Sequence, residues 1–128
     1  MRLLLDTHTL IWNYQTDQRM SATAIAMIQD QSNEILVSPA SYWEIAIKLG
    51  TGKYIFAEPF GDFIEHAIID NGFTILPVEP RHTQQLIGMK PYHKDPFDRL
   101  LIAQAMAEGV SILSADTAFD QYPIRRIW

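Results

Sequence analysis

The 128-residue sequence contains no cysteine, so a disulfide framework, a thiolate-bound zinc or iron–sulfur centre and thiol catalysis are all excluded. A reducing cytosol fits that composition. Long apolar runs are also missing. The amino terminus reads Met-Arg-Leu-Leu-Leu-Asp, and three leucines stopped by a carboxylate are too short for a signal-peptide core or a membrane span. The expectation is a soluble, cytoplasmic protein that does not engage membranes. Positive charge is scarce: ten Lys+Arg stand against fifteen Asp+Glu, for a net charge of −5. That argues against coating nucleic acid through a broad basic surface. It leaves room for an enzyme that meets nucleic acid through divalent cations, because bound ions reverse the local sign. Repeats, low-complexity tracts and Gly-, Ser- or Pro-rich linkers are absent too. With 48% hydrophobic residues, the length suffices for one compact domain over residues 1–128.

What is present is an alternation of two periodicities. "RLLLD" (2–6), "EILVS" (34–38), "FTILPV" (73–78) and "VSIL" (110–113) are short apolar runs suited to buried strands, and "IRRIW" (124–128) is a weaker fifth. Helical patterns separate them. Ser21 caps "ATAIAMIQD", and Ser38-Pro39 opens "ASYWEIAIKLG", which ends at Gly50. Pro59 opens "FGDFIEHAIID", stopped by Asn71-Gly72, and Pro80 opens "RHTQQLIGM". A last helix begins near Asp95 and ends at Gly109. Strands separated by helices of this length predict a three-layer α/β/α sandwich around a mainly parallel sheet.

In such sheets ligands bind outside the carboxyl ends of the strands, so acids that follow strands carry the most information. Asp6 ends the first strand and Asp116 follows "VSIL" by three residues, on the same rim. Taken singly, each reads as a helix cap, although Asp6 adjoins a buried leucine triplet where an uncompensated charge is costly. Glu44 lies off the apolar stripe formed by Tyr42, Ile45, Ala46 and Leu49, with Lys48 four residues on. An i,i+4 ion pair on a solvated face is the simple reading. Trp43 and Ile47 weaken it, because apolar residues then cover most of the helix and a Glu on a buried helix needs a partner. In "KDPFDRLLIAQAMAEG" (94–109), Asp95 takes the N-cap, Pro96 the first helical position and Asp98 the third. Asp98 shares a face with Ile102 and Ala105, so it is the ligand candidate and Asp95 the cap. If Asp6, Glu44, Asp98 and Asp116 converge, they repel one another unless protons or hard cations intervene, and oxygen-only ligands suit Mg²⁺ or Mn²⁺. Metal-assisted phosphodiester hydrolysis is the chemistry this implies.

The residues resemble a known family. "LLLDTHTLIW", "SPASYWEIAIKLGTGK", "HKDPFDRLLIAQA" and "LSADTAFDQYP", in that order across essentially the whole chain, are similar to PIN-domain ribonucleases, specifically the VapC-type toxins of bacterial type II toxin–antitoxin pairs. The resemblance puts the family's acidic cluster on Asp6, Glu44, Asp98 and Asp116, and its small hydroxyl residue on Ser114. Asp95 and Asp120 fall in the right stretches as second-rank metal residues, and Arg99 with Ser114 are weaker substrate-binding candidates. The resemblance also implies Mg²⁺- or Mn²⁺-dependent endoribonuclease activity on an RNA substrate, inhibition by a cognate antitoxin and a tendency to form a homodimer.

Other features read as decoys. "GTGK" (50–53) follows a helix and continues with Tyr54, so it is a turn rather than a phosphate loop. His8, His66, His82 and His93 lack zinc-site spacing; His8 and His93 lie near the acids, but packing or surface roles suffice for them. Trp12, Trp43 and Trp128 read as core or interface residues, since 11% aromatic content is ordinary for a packed domain. Two rival functions stay open on the residues alone. A receiver-like or aspartate-phosphatase site wants paired acids at the first strand end, where "LDTHT" supplies one. A non-catalytic α/β binding module makes the acids caps, which explains Glu44 least well.

Overall fold

The computed structural model describes residues 1–128. Five strands form, β1 (Arg2–Leu5), β2 (Glu34–Val37), β3 (Thr74–Ile75), β4 (Ser111–Leu113) and β5 (Arg126–Ile127). Six α-helices accompany them: α1 (Thr7–Gln15), α2 (Ala22–Gln29), α3 (Pro39–Gly50), α4 (Phe60–Ile64), α5 (Pro80–Ile87) and α6 (Pro96–Glu108). A π-helical turn (Glu65–Ile69) continues α4, and a 3₁₀ helix (Thr117–Gln121) follows β4.

The strand order is β3-β2-β1-β4-β5, and every pairing is parallel. Leu3, Leu4 and Leu5 of the central strand are all fully buried, the pattern required of a strand covered on both faces. Alternate side chains feed two cores. Leu4 packs with Leu36, Ile112, Leu101 and Ile102 under α6, while Leu3 and Leu5 join Ile35, Val37, Ile45, Phe63 and Ile68 on the other face. This is the predicted three-layer sandwich, with a sheet that is parallel throughout. No helix is long and apolar enough to cross a membrane.

The chain leaves β1 toward β2 and β3 on one side and returns through α5 and α6 to β4 and β5 on the other. The order therefore reverses between β1 and β4, which opens a crevice at their carboxyl ends. Pairing continues one residue beyond each strand, through Asp6 N to Leu113 O at 3.2 Å and Ser114 N to Ile127 O at 3.2 Å. The acids begin where this ladder stops.

Several local expectations differ from the structure. "FTILPV" contributes only Thr74–Ile75. Leu76 N still donates to Val37 O at 2.9 Å, but Pro77 has no N–H to continue, and β3 is an edge strand where such a stop is tolerated. Pro59 is the N-cap of α4 rather than its first residue, and residues 65–69 widen to π geometry before Gly72 turns the chain at φ +70°. Helix α5 stops at Ile87 instead of reaching Met89. The clearest correction concerns α3. Its buried residues are Ala40, Ser41, Glu44 and Ile45, whereas Trp43 and Ile47 are 59% and 44% exposed. Glu44 therefore lies on the buried face, not off it, and Trp43 is a surface residue set edge-on to Phe97 at 5.1 Å.

Candidate active site

Three of the acids do cap helices. Asp6 Oδ1 accepts from Thr9 N at 2.7 Å at the start of α1, Asp95 Oδ1 accepts from Asp98 N at 3.0 Å at the start of α6, and Asp116 Oδ1 accepts from Ala118 N at 2.9 Å. A cap uses one carboxylate oxygen and thereby aims the other. The second oxygen of Asp6 accepts from Ser114 Oγ at 2.5 Å. The second oxygen of Asp116 lies 3.2 Å from His93 Nε2, and Asp98 Oδ2 lies 3.3 Å from the same nitrogen. Capping and site formation are thus the same geometry for Asp6 and Asp116.

Asp95 and Asp98 divide as expected, with one difference. A full capping box would return the Asp98 carboxylate to Asp95 N, but that N–H donates to His93 Nδ1 at 3.3 Å. Asp98 is left facing the crevice while Ile102 and Ala105, on its helical face, are buried. Glu44 enters from α3 with a side chain only 6% exposed, its Oε2 accepting from Lys48 Nζ at 2.6 Å. The i,i+4 pair of the simple reading exists, but on a buried face rather than a solvated one. Ser114, fully buried, joins two acids: its Oγ donates to Asp6 and accepts from Asp116 N at 3.0 Å.

The electrostatics follow from this convergence. Burial, then the carboxylates of Asp95, Asp6, Glu44 and Asp116, push Asp98 up from 3.8 to about 8. Burial also raises Asp6, against the opposing hydrogen bonds from Ser114 and Thr9. The donor set suits a hard divalent cation: carboxylate oxygens dominate, and His93, Asp98 and Asp116 present ligand atoms all within 4.8 Å of one another. A cation among them would offset the repulsion that adds to burial in raising Asp98.

The second-rank residues sit differently. Both oxygens of Asp120 bind Arg126, at 2.9 and 3.1 Å, which holds its carboxyl below the usual range. The pair braces the end of β5, since Arg126 Nη1 also donates to Ser114 O at 3.0 Å. Arg99 Nη1 donates to Lys90 O at 3.0 Å, His93 O at 3.3 Å and the Tyr122 hydroxyl at 3.4 Å. Its contacts tie down the loop that carries His93. His8 is exposed, with its ring 5.6 Å from that of Trp12.

His93 is the residue that sequence reasoning undervalued. Its local signal is its place two residues before the Asp95 cap, but its approach to Asp116 spans 23 residues and depends on a loop held by Arg99 and Tyr122. No spacing rule encodes that. The largest cavity, about 520 Å³, lies away from the acids, near the amino ends of β2 and β3, lined by residues such as Tyr14, Glu58, His66 and Asn71.

The PIN domain family pattern matches residues 3–124. The chain belongs to the PIN-domain family. Within it, a 69-residue stretch is 38% identical to Ribonuclease VapC16 of Mycobacterium tuberculosis, covering 51% of this chain and 49% of that protein. The match therefore spans about half the length of that relative. The PIN fold is shared with VapBC2 from Rickettsia felis, solved bound to a DNA fragment from its promoter, at a TM-score of 0.74 and 15% identity over 100% of this chain and 99% of that one. It is shared also with a toxin-antitoxin complex from Klebsiella pneumoniae, at a TM-score of 0.66 and 13% identity over 98% of this chain and 96% of that one.

Proposed function

We propose that this PIN domain is an endoribonuclease dependent on Mg²⁺ or Mn²⁺, the toxin of a type II toxin–antitoxin pair, hydrolysing RNA phosphodiester bonds and restrained by a cognate antitoxin. One observation carries the reading: carboxylates from the end of β1, from α3 and α6 and from the turn after β4 converge on one crevice, where burial and then their mutual repulsion push Asp98 up to about 8. The name of the mycobacterial relative and the toxin-antitoxin neighbour support it. The residues that would hold the ion are Asp6, Asp98 and Asp116, with Glu44 beside them. Once bound, such an ion lowers the pKa of a coordinated water and offsets charge on the phosphate oxygens.

The chain supplies the positioning. Asp6 is held by Thr9 N at one carboxylate oxygen and Ser114 Oγ at the other, which sets its orientation. Ser114 also fixes the backbone of Asp116, locking the relative position of the two strand-end acids. Glu44, anchored by Lys48, stands at the buried side of the crevice and is available to orient the attacking water through a hydrogen bond. His93 accepts the Asp95 N–H at Nδ1, which aims its Nε2 between Asp98 and Asp116, 3.3 and 3.2 Å from their carboxylates. A module whose acids are only caps accounts for Asp6, Asp95 and Asp116, and the Lys48 pair for Glu44, but it gives no role to Asp98, which caps no helix and is raised by the acids around it. Incubating purified protein with total RNA and Mg²⁺ or Mn²⁺, with and without EDTA, tests the proposal. Discrete cleavage lost in EDTA supports it, and intact RNA in all arms refutes it.

A further inference from the structure

At the buried end of the acid cluster stands a cation that the chain itself supplies. Lys48 lies one turn after Glu44 on α3, so its ammonium reaches back along the helix to Glu44 Oε2 at 2.6 Å. The pair is sheltered, with side chains 27% and 6% exposed. Tyr54 fixes it from the other side. The turn after α3 folds back through Gly52 at φ +77°, and Tyr54 N donates to Lys48 O at 3.1 Å. That return sets the Tyr54 ring 5.2 Å from Lys48 Nζ, with the hydroxyl at 3.5 Å. Phe56 stacks on the ring in turn, at 6.4 Å and 10°. The ammonium is thus held on one oxygen of Glu44, while Oε1 accepts no hydrogen bond from the protein and stays open to solvent.

Resting on the ribonuclease reading above, we propose that Lys48 takes the place of a second divalent cation at Glu44, so that the crevice holds one ion per chain, on the side of Asp98 and Asp116, and Glu44 stays out of its ligands. Two observations separate the two ends of the crevice. The ligand atoms that come within 4.8 Å of one another belong to His93, Asp98 and Asp116, and Glu44 is not among them. At the other end, Glu44 already has its counter-charge in Lys48. A divalent ion seated on Glu44 either displaces the ammonium, which strips a sheltered lysine of its partner, or sits beside it as a like charge, and both are costly. Two-ion phosphodiester chemistry places its cations roughly 3.5–4 Å apart, and here the carboxylate that would complete the second position is neutralised from within the chain. Lys48 is therefore a positioning residue: it fixes Glu44 by Oε2 and leaves Oε1 to accept from the attacking water.

The test reads Mn²⁺ binding to the full chain rather than cleavage. Titration calorimetry counts the ions, and electron paramagnetic resonance at saturation tells an isolated Mn²⁺ from a pair, because ions roughly 3.5–4 Å apart couple and lose the hyperfine pattern of the single ion. Wild type is expected to bind one ion per chain with the isolated spectrum. Lys48→Gln leaves a sheltered carboxylate without its counter-charge and is expected to take up a second ion and give the coupled spectrum. Lys48→Arg, which keeps the charge, is expected to stay at one. Glu44→Gln is expected to keep one ion and to lose less than the roughly tenfold in affinity that even an outer-shell partner is worth, whereas Asp98→Asn loses more. Two ions in wild type overturn the assignment. So does a folded Lys48→Gln protein that still binds one, or a Glu44→Gln protein that binds Mn²⁺ as weakly as Asp98→Asn. Should Lys48→Gln fail to fold, the wild-type count and the Glu44→Gln affinity decide. In each of these cases RNA cleavage by wild type leaves the ribonuclease reading standing. A wild type that binds no Mn²⁺ overturns the assignment as well, and if it also cuts no RNA, both fall.

Discussion

Replacing Asp98 by asparagine in metal-free protein removes the cost of ionising a buried carboxylate within the acid cluster. A shift from 3.8 to about 8 is roughly four pH units, and at about 1.4 kcal/mol per unit full ionisation of Asp98 disfavours the folded state by on the order of 5 kcal/mol. The side chain is 23% exposed, so water shares the charge, and about 2–3 kcal/mol is the amount expected to be expressed. The sign follows from proton binding. Between about pH 4 and pH 8 the unfolded chain has released this proton and the folded chain retains it, so stability falls as pH rises through that window. Below pH 4 both states are protonated and the penalty vanishes. Asp6, also raised, pulls in the same direction. Asparagine keeps the volume and cannot titrate. In EDTA at pH 8, Asp98→Asn should therefore melt roughly 6–15 °C above wild type, with the gap closing toward pH 4. Added Mg²⁺ or Mn²⁺ should raise the wild-type melting temperature and move the variant far less. A variant that melts below wild type at pH 8, or parallel pH profiles for the two, would refute the clustered-acid argument.

Three further substitutions separate the roles of neighbouring residues. Asp95→Ala, introduced into the Asp98→Asn protein so that relief of the repulsion between the two carboxylates does not mask the effect, removes the α6 cap and should cost about 0.5–2 kcal/mol in urea unfolding; unchanged stability there would mean that Asp95 is not acting as a cap. Ser114→Ala strips a partner from Asp6 and from Asp116 N and should destabilise by about 1–3 kcal/mol, read by the same method. His93→Ala should weaken divalent-cation binding or activity roughly 10–100-fold, measured by titration calorimetry and cleavage rate, as loss of a side chain that orients ligands does; cation affinity and rate equal to wild type would remove His93 from the site.

The sequence reveals what is local. Ser21, Ser38, Asp95 and Gly109 mark helix ends in the structure as their types demand, and the leucine triplet of β1 reads as a doubly covered strand because it has no polar alternation. The acids at strand ends were legible for the same reason: a parallel sheet puts every such residue on one rim. What escaped depends on packing at a distance. Which side of α3 is buried is decided by where α6 and the sheet lie, and the apolar count around the helix, which rightly implied a buried, partnered Glu44, put Trp43 and Ile47 inward with it although both are exposed. A buried acid paired with Lys48 violates simple amphipathic patterning, and such violations concentrate at functional sites. His93 was hidden in the same way, since its neighbours are set by the Arg99 and Tyr122 anchors of its loop rather than by spacing.

The central claim is that the converged carboxylates cut RNA with the help of a divalent cation. Its most direct test is a single RNA-cleavage time course comparing wild type in Mg²⁺ or Mn²⁺, wild type in EDTA, and Asp98→Asn in the same ions, with folding of each verified by its melting curve. Cleavage is expected in the first arm only, with folded protein in all three. Cleavage that persists in EDTA, or at the wild-type rate in the folded Asp98→Asn protein, would contradict it.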